Sequence, residues 1–141
     1  MSRQLVASQT ATVTNAGTAA VEGVHRYDVM QFVLKLTAAA TEAGDTLDVF
    51  VQTRIGGDWF DIVHFTQIIG TGADSQQHVA KVIASEPQAM YEIGTALAAG
   101  SVRHIMGDAY RARWTIVDVA VADNQSFTFE IEMEGKMDRH G

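Results

Sequence analysis

Residues 46–70 read TLDVFVQTRIGGDWFDIVHFTQIIG, and their reading decides the fold. In the first arm Leu47, Val49, Val51, Thr53 and Ile55 share one face, while Asp48, Phe50, Gln52 and Arg54 share the other. A period of two marks a strand with one buried and one wetter side. Gly56-Gly57 follows, and glycine accepts the positive φ values that a two-residue hairpin turn demands. The second arm is apolar on both faces, with Trp59, Val63 and Phe65 on one and Phe60, Ile62 and Thr66 on the other. Such an arm is expected to run through the middle of a layered domain.

Upstream of the hairpin, Met30, Phe32, Leu34 and Leu36 alternate with Val29, Gln31, Val33 and Lys35, which makes residues 27–40 a strand. Residues 4–15 are rich in Thr, Ser and Val and alternate weakly; the first 15 residues read as an edge strand or as an arm that pairs with a neighbour. Residues 18–26, short and Ala-rich, are ambiguous, and a further strand over Val21 to His25 is one reading of them. Downstream, residues 77–85, 109–120 and 126–134 read as strands. The last alternates most cleanly, with Phe127, Phe129, Ile131 and Met133 facing in and Thr128, Glu130, Glu132 and Glu134 facing out. Residues 88–102 fit either a short helix lined by Ala89, Met90, Ile93 and Leu97 or a loop, which Gly94 and Gly100 favour. About seven or eight short strands separated by Gly and Asp/Asn turns predict an all-β fold, an antiparallel β-sandwich of which the jelly roll is one form. The 141 residues suffice for one domain, spanning 1–141, with a single core.

Hydrophobic residues make up 47% of the chain and charged ones 19%, a globular composition. No apolar run reaches the ~18 residues of a membrane span, so no membrane partner is expected. The opening Met1-Ser-Arg-Gln-Leu lacks the basic start and apolar core of a signal peptide, which predicts synthesis in a cytoplasm. Cysteine is absent, which excludes disulfides, thiolate metal sites and cysteine nucleophiles. A formal charge of −7 with only three lysines, Lys35, Lys81 and Lys136, argues against phosphate gripping and hence against nucleic acid. Seven Arg against three Lys fits a subunit with much surface covered by partners, because interfaces deplete Lys and enrich Arg; a GC-rich genome gives the same bias.

Candidate chemistry is sparse. His25, His64, His78, His104 and His140 have no zinc-like spacing, and His64, between Val63 and Phe65, reads as a hydrogen-bonded core or interface residue. Asp45, Asp48, Asp58 and Asp61 flank the hairpin without a calcium-loop pattern, so solvated turn carboxylates are the default reading and a calcium site the alternative. The serines lie in no nucleophile elbow, and Gly70-Thr-Gly72 lacks the lysine and helix of a phosphate loop. No catalytic residue, metal or cofactor is therefore assigned, and a non-enzymatic protein is expected. Arg103, Arg111 and Arg113 either pair with nearby Asp108 and Asp118 or contact carboxylates of another subunit, where the planar guanidinium binds with two hydrogen bonds. Glu130, Glu132 and Glu134 project from one strand face, as a solvated surface or as a docking strip for arginines. Trp59, just after the turn, reads as core or as the platform of a sugar-binding site.

The run LDVFVQTRIGGDWFDIVHFTQIIGTG resembles a pattern of small tailed-bacteriophage structural proteins: an alternating strand, a turn, W-x-D-[IV]-x-H-F-T-Q, then a glycine-rich turn. Asp108-Ala-Tyr-Arg-Ala-Arg-Trp114 and Ser126-Phe-Thr-Phe-Glu130 are similar to its last two strands. The resemblance covers roughly residues 27–134 and rests on packing motifs. It implies a virion structural protein made in the host bacterial cytoplasm and leaves its station in the particle open. Size, acidity, the Arg-over-Lys bias and the lack of catalytic motifs are compatible with a capsid decoration or cement protein, the leading expectation. Such a subunit would be a homo-oligomer, a trimer by preference, clipped between major capsid subunits. The alternatives are a tail, connector or baseplate component, or a carbohydrate-binding adhesion module.

Overall fold

Residues that alternate in sequence build strands in the computed structural model, which describes residues 1–24, 26–42, 44–71, 76–92, 94–119 and 125–137. Among them there are ten strands and no helix: β1 (Ser2–Ala11), β2 (Val21–Glu22), β3 (Val29–Ala38), β4 (Thr46–Ile55), β5 (Asp58–His64), β6 (Ile68–Ile69), β7 (Gln76–Ile83), β8 (Ser101–Val102), β9 (Ala109–Val117) and β10 (Phe127–Lys136). They form two antiparallel sheets. One has the order β1-β10-β3-β7, the other β2-β9-β4-β5-β8, with β6 also paired to β4. Apart from the two-residue β6 and β8, the strands pair first with last and inward from there: β1 with β10, β2 with β9, β3 with β7, β4 with β5. Contacts β10–β3 and β9–β4 join those pairs. That nesting is a jelly roll.

The core follows from the alternation. Met30, Phe32, Leu34 and Leu36 of β3 and Phe127, Phe129, Ile131 and Met133 of β10 are buried, and face Leu47, Val49 and Val51 of β4 and Tyr110, Ala112 and Trp114 of β9. Aromatic contacts join the layers: Trp114 meets Phe129 edge to face at 5.1 Å, and Phe32 meets Tyr110 at 5.7 Å. Burial pushes the Tyr110 hydroxyl up to about 12, partly offset by Thr53, so it stays neutral at ordinary pH.

Gly56 and Gly57 have φ of 60° and 87°, the left-handed pair that closes the β4–β5 hairpin. The central strand is β4, with β9 on one side and β5 and β6 on the other. One expectation is corrected and two open alternatives are decided. The faces of β5 do not alternate throughout, because the register shifts between Val51 and Gln52, which sit opposite Val63 and Asp61. Ile62 is the extra residue of this bulge, so Ile62 and Val63 are both buried. Residues 88–102 hold no helix among those described, and Met90 is wholly exposed; Ile93 lies outside the described residues. The amino-terminal segment pairs with β10 of its own chain as an edge strand, with register shifts between Gln4 and Val6 and between Val6 and Gln9. Of the histidines, His25 and His140 lie outside the described residues.

Phe129 touches both sheets, and its truncation leaves a cavity that rigid strands fill poorly. Phe129→Ala should destabilise the domain by about 3–5 kcal/mol. Urea unfolding, with a lower midpoint at unchanged slope, is the check.

Candidate functional site

The outer face of the β4-containing sheet collects the polar residues that the core excludes. The register sets Phe50 between Arg113 and His64, Gln52 between Arg111 and Asp61, and Arg54 beside Trp59. Without the bulge at Ile62, Asp61 and His64 would point to opposite faces; with it, Trp59, Asp61 and His64 all join this surface. That overturns the reading of Trp59 as core. Trp114 is the buried tryptophan, and Trp59 is only half-buried on the outer face.

These side chains lock into one another. Arg113 grips Asp61 with two hydrogen bonds, Nε to Oδ1 at 2.9 Å and Nη2 to Oδ2 at 2.7 Å. Gln52 Nε2 donates to Asp61 Oδ1 at 3.0 Å, while its Oε1 accepts from Arg111 Nε at 2.7 Å. Guanidinium planes cover the aromatics: Arg113 lies 3.7 Å above Phe50, Arg111 4.3 Å above Trp59, and Arg103 3.8 Å above Tyr91. Phe50 stacks on His64 at 3.9 Å. Both nitrogens of His64 face oxygen acceptors, Asp48 Oδ1 at 2.9 Å and the Leu97 carbonyl at 2.7 Å. Arg103, almost fully buried, donates to the carbonyls of Thr95 and Asp61.

The charges respond to this packing. Burial pushes the Asp61 carboxyl up, but hydrogen bonds and charge from Arg113, with help from Gln52 and Arg103, outweigh it and hold the group below the usual carboxylate range. Burial and the charge of Arg113 push Arg111 down, against the pull of Asp61. Asp108 and Glu22 hydrogen-bond Arg54 and raise it.

The sequence left open whether Arg111 and Arg113 pair with Asp108 and Asp118. They do not: their partners are Gln52 and Asp61, and Asp108 takes Arg54 at 3.0 Å. Arg103, Arg111 and Arg113 do come together on one sheet. Glu130, Glu132 and Glu134 lie on the outer face of the other, where Gln4 donates to Glu130 at 2.8 Å, Lys35 meets Glu132 at 3.1 Å and Lys136 meets Glu134 at 3.6 Å. The two candidate groups therefore occupy opposite sides of the sandwich. Beside Trp59 lies a groove of about 390 Å³, lined by Gln52, Asp61, Tyr91, Thr95 and Arg103 among others. Sequence reasoning missed Gln52 and Tyr91, because strand pairing and a loop excursion bring them to the arginines.

Asp45, expected to be a solvated turn carboxylate, is fully buried, and Asp61 is mostly buried beneath Arg113. Asp45 sits at the end of the sandwich within 4.8 Å of carboxylate oxygens of Glu42 and Asp118.

No protein-family model matches the chain, and no curated protein matches it. Among solved structures it is similar to a chain of the cryo-EM atomic structure of Broad Bean Stain Virus, with a TM-score of 0.42 and 12% identity. The match covers 87% of this chain and 58% of the viral one, so this chain spans little more than half the length of the chain it matches.

Asp61 stabilises the fold as a carboxylate. A depressed pKa means that its contribution is fully present above about pH 4 and is lost as pH falls through the lower value of the folded protein. Asp61→Asn should be less stable than the parent at neutral pH, and the gap should narrow as pH falls below about 4. Urea midpoints across that range check it, and a gap that stays constant would mean that Asp61 acts through shape alone.

Proposed function

We propose that this chain is a non-enzymatic structural subunit of a virion, a capsid decoration or cement protein that docks between major capsid subunits. The observation that carries the reading is a division of residue types between the two outer faces. Lys35, Lys81 and Lys136 all belong to the β1-β10-β3-β7 sheet, which also bears the Glu130, Glu132 and Glu134 strip. The outward side of the opposite sheet carries Arg54, Arg111 and Arg113 with Phe50 and Trp59, and Arg103 and Tyr91 join them at its border; none of these is a lysine. Arginine and aromatics without lysine are the composition of the centre of a protein interface. The arginines are already held by stacking and hydrogen bonds, so docking orders them at little further entropic cost.

The jelly roll agrees with this role, since shells of viral capsids use it, but lectins use it too, and the site has to carry the argument. The resemblance of residues 27–134 to tailed-phage structural proteins supports a virion component, and the size, acidity and Arg-over-Lys bias of the chain favour the outside of the head as its station. A homo-oligomer, a trimer by preference, is part of the proposal.

Copy number is the test. Quantitative mass spectrometry of purified particles should find the chain in hundreds of copies, in fixed ratio to the major capsid protein. A handful of copies would move it to the tail, connector or baseplate, and absence would end the virion reading. Arg111→Glu should weaken binding to particles stripped of the protein by about 30-fold, the size of a hot-spot loss, with a melting curve showing that the variant is still folded at the assay temperature.

The groove beside Trp59 favours a second reading, a carbohydrate-binding adhesion module. An aromatic ring next to Asp61, Gln52 and Arg103 offers both the apolar plane and the hydrogen-bonding groups that a sugar needs. That reading requires an oligosaccharide that raises the melting temperature of the parent and leaves that of Trp59→Ala unchanged.

A further inference from the structure

Three segments meet at the end of the sandwich away from the Gly56-Gly57 turn: the β3–β4 connection, the end of β6 and the end of β9. The Gly70 N–H donates to the Asp45 carbonyl at 2.7 Å, and the Val119 N–H donates to Asp45 Oδ1 at 3.0 Å. Gly70 packs so closely that a Cβ there would strike the Glu42 carbonyl oxygen. Into this junction Glu42, Asp45 and Asp118 each bring a carboxylate oxygen, all within 4.8 Å of one another. Asp45 is fully buried, and its second oxygen, Oδ2, is buried without any hydrogen-bond partner.

That orphan oxygen is the informative feature. A buried acceptor left unsatisfied carries a full desolvation cost, and native proteins rarely keep one without a reason. Converging carboxylates add mutual repulsion, which a cation at their centre reverses. The donors are all oxygens, with neither histidine nor cysteine among them, so the chemistry selects a hard cation over zinc or copper. Oxygens on one calcium ion, each at about 2.3–2.6 Å, lie up to about 5 Å apart, a span that accommodates this cluster. Asp118 is exposed, so the site opens to solvent on its side and leaves room for the water ligands that calcium accepts.

We infer that Glu42, Asp45 and Asp118 form a calcium site that fastens the β3–β4 connection to the end of β9. The site is independent of the proposed docking face, which lies on the outer surface of the sheet. Calcium bound there stabilises only the folded chain, because the three ligands come from two segments that separate on unfolding.

The test uses the full chain, freed of metal with EDTA and then melted in EDTA, in CaCl2 or in MgCl2. Calcium at 100-fold over its dissociation constant should raise the melting temperature by roughly 10 °C, with magnesium well behind. Asp118→Asn, an exposed change, should fold and should lose the calcium-dependent rise, read against the variant's own melting temperature in EDTA. Asp45→Asn should lose it as well; should that buried variant fail to fold, Asp118→Asn decides alone. The inference is overturned if the parent shows no rise in calcium, if magnesium matches calcium, or if Asp118→Asn keeps the full rise.

Discussion

Everything in this fold depends on one layer of side chains shared by two sheets. Stacked sheets lie about 10 Å apart, so the inner faces must fill that gap by interdigitation. The Trp114–Phe129 and Phe32–Tyr110 contacts span it, each joining a strand of one sheet to a strand of the other. Because the inner faces are committed to packing, charged side chains on the strands are directed to the outer faces. The sandwich thus sorts its surface into two chemically different sides, and the arginine–aromatic face follows from the sorting.

Much of the fold was legible in the sequence because three strands alternate strictly. In β3, β4 and β10 the apolar residues predicted to face inward are those buried, apart from Ile55 at the turn, and Gly56-Gly57 marks the hairpin turn. The short β2 covers only Val21–Glu22, the start of a stretch whose sequence left a strand open as one reading. The bulge at Ile62 was not legible, since an inserted residue leaves no mark in an apolar run and shows only when the partner strand is in place. Its effect is large, because it moves Trp59 and Asp61 out of the expected pattern and onto the arginine face.

The candidate sites were legible in part, for the same reason. Arg111 and Arg113 stood out by their spacing, but their partners Gln52 and Asp61 are 59 and 52 residues away in the chain. Proximity in sequence pointed instead to Asp108, which belongs to Arg54. The carboxylate junction was hidden more deeply. Asp45 sits in a polar turn by sequence, and only the return of the chain after β9 brings Asp118 to it. Pairing across a jelly roll is long-range by construction, so sites that span it leave little local signature.

The two tryptophans have a practical consequence. Trp114 lies in the core against Phe129, whereas Trp59 lies on the outer face beneath the Arg111 guanidinium. Their indoles sample an apolar and a half-wet environment, so one chain carries two built-in optical reporters with separate duties. A change confined to the Trp59 emission would register something settling on the arginine face, while a shift in the Trp114 emission would register the sandwich itself coming apart.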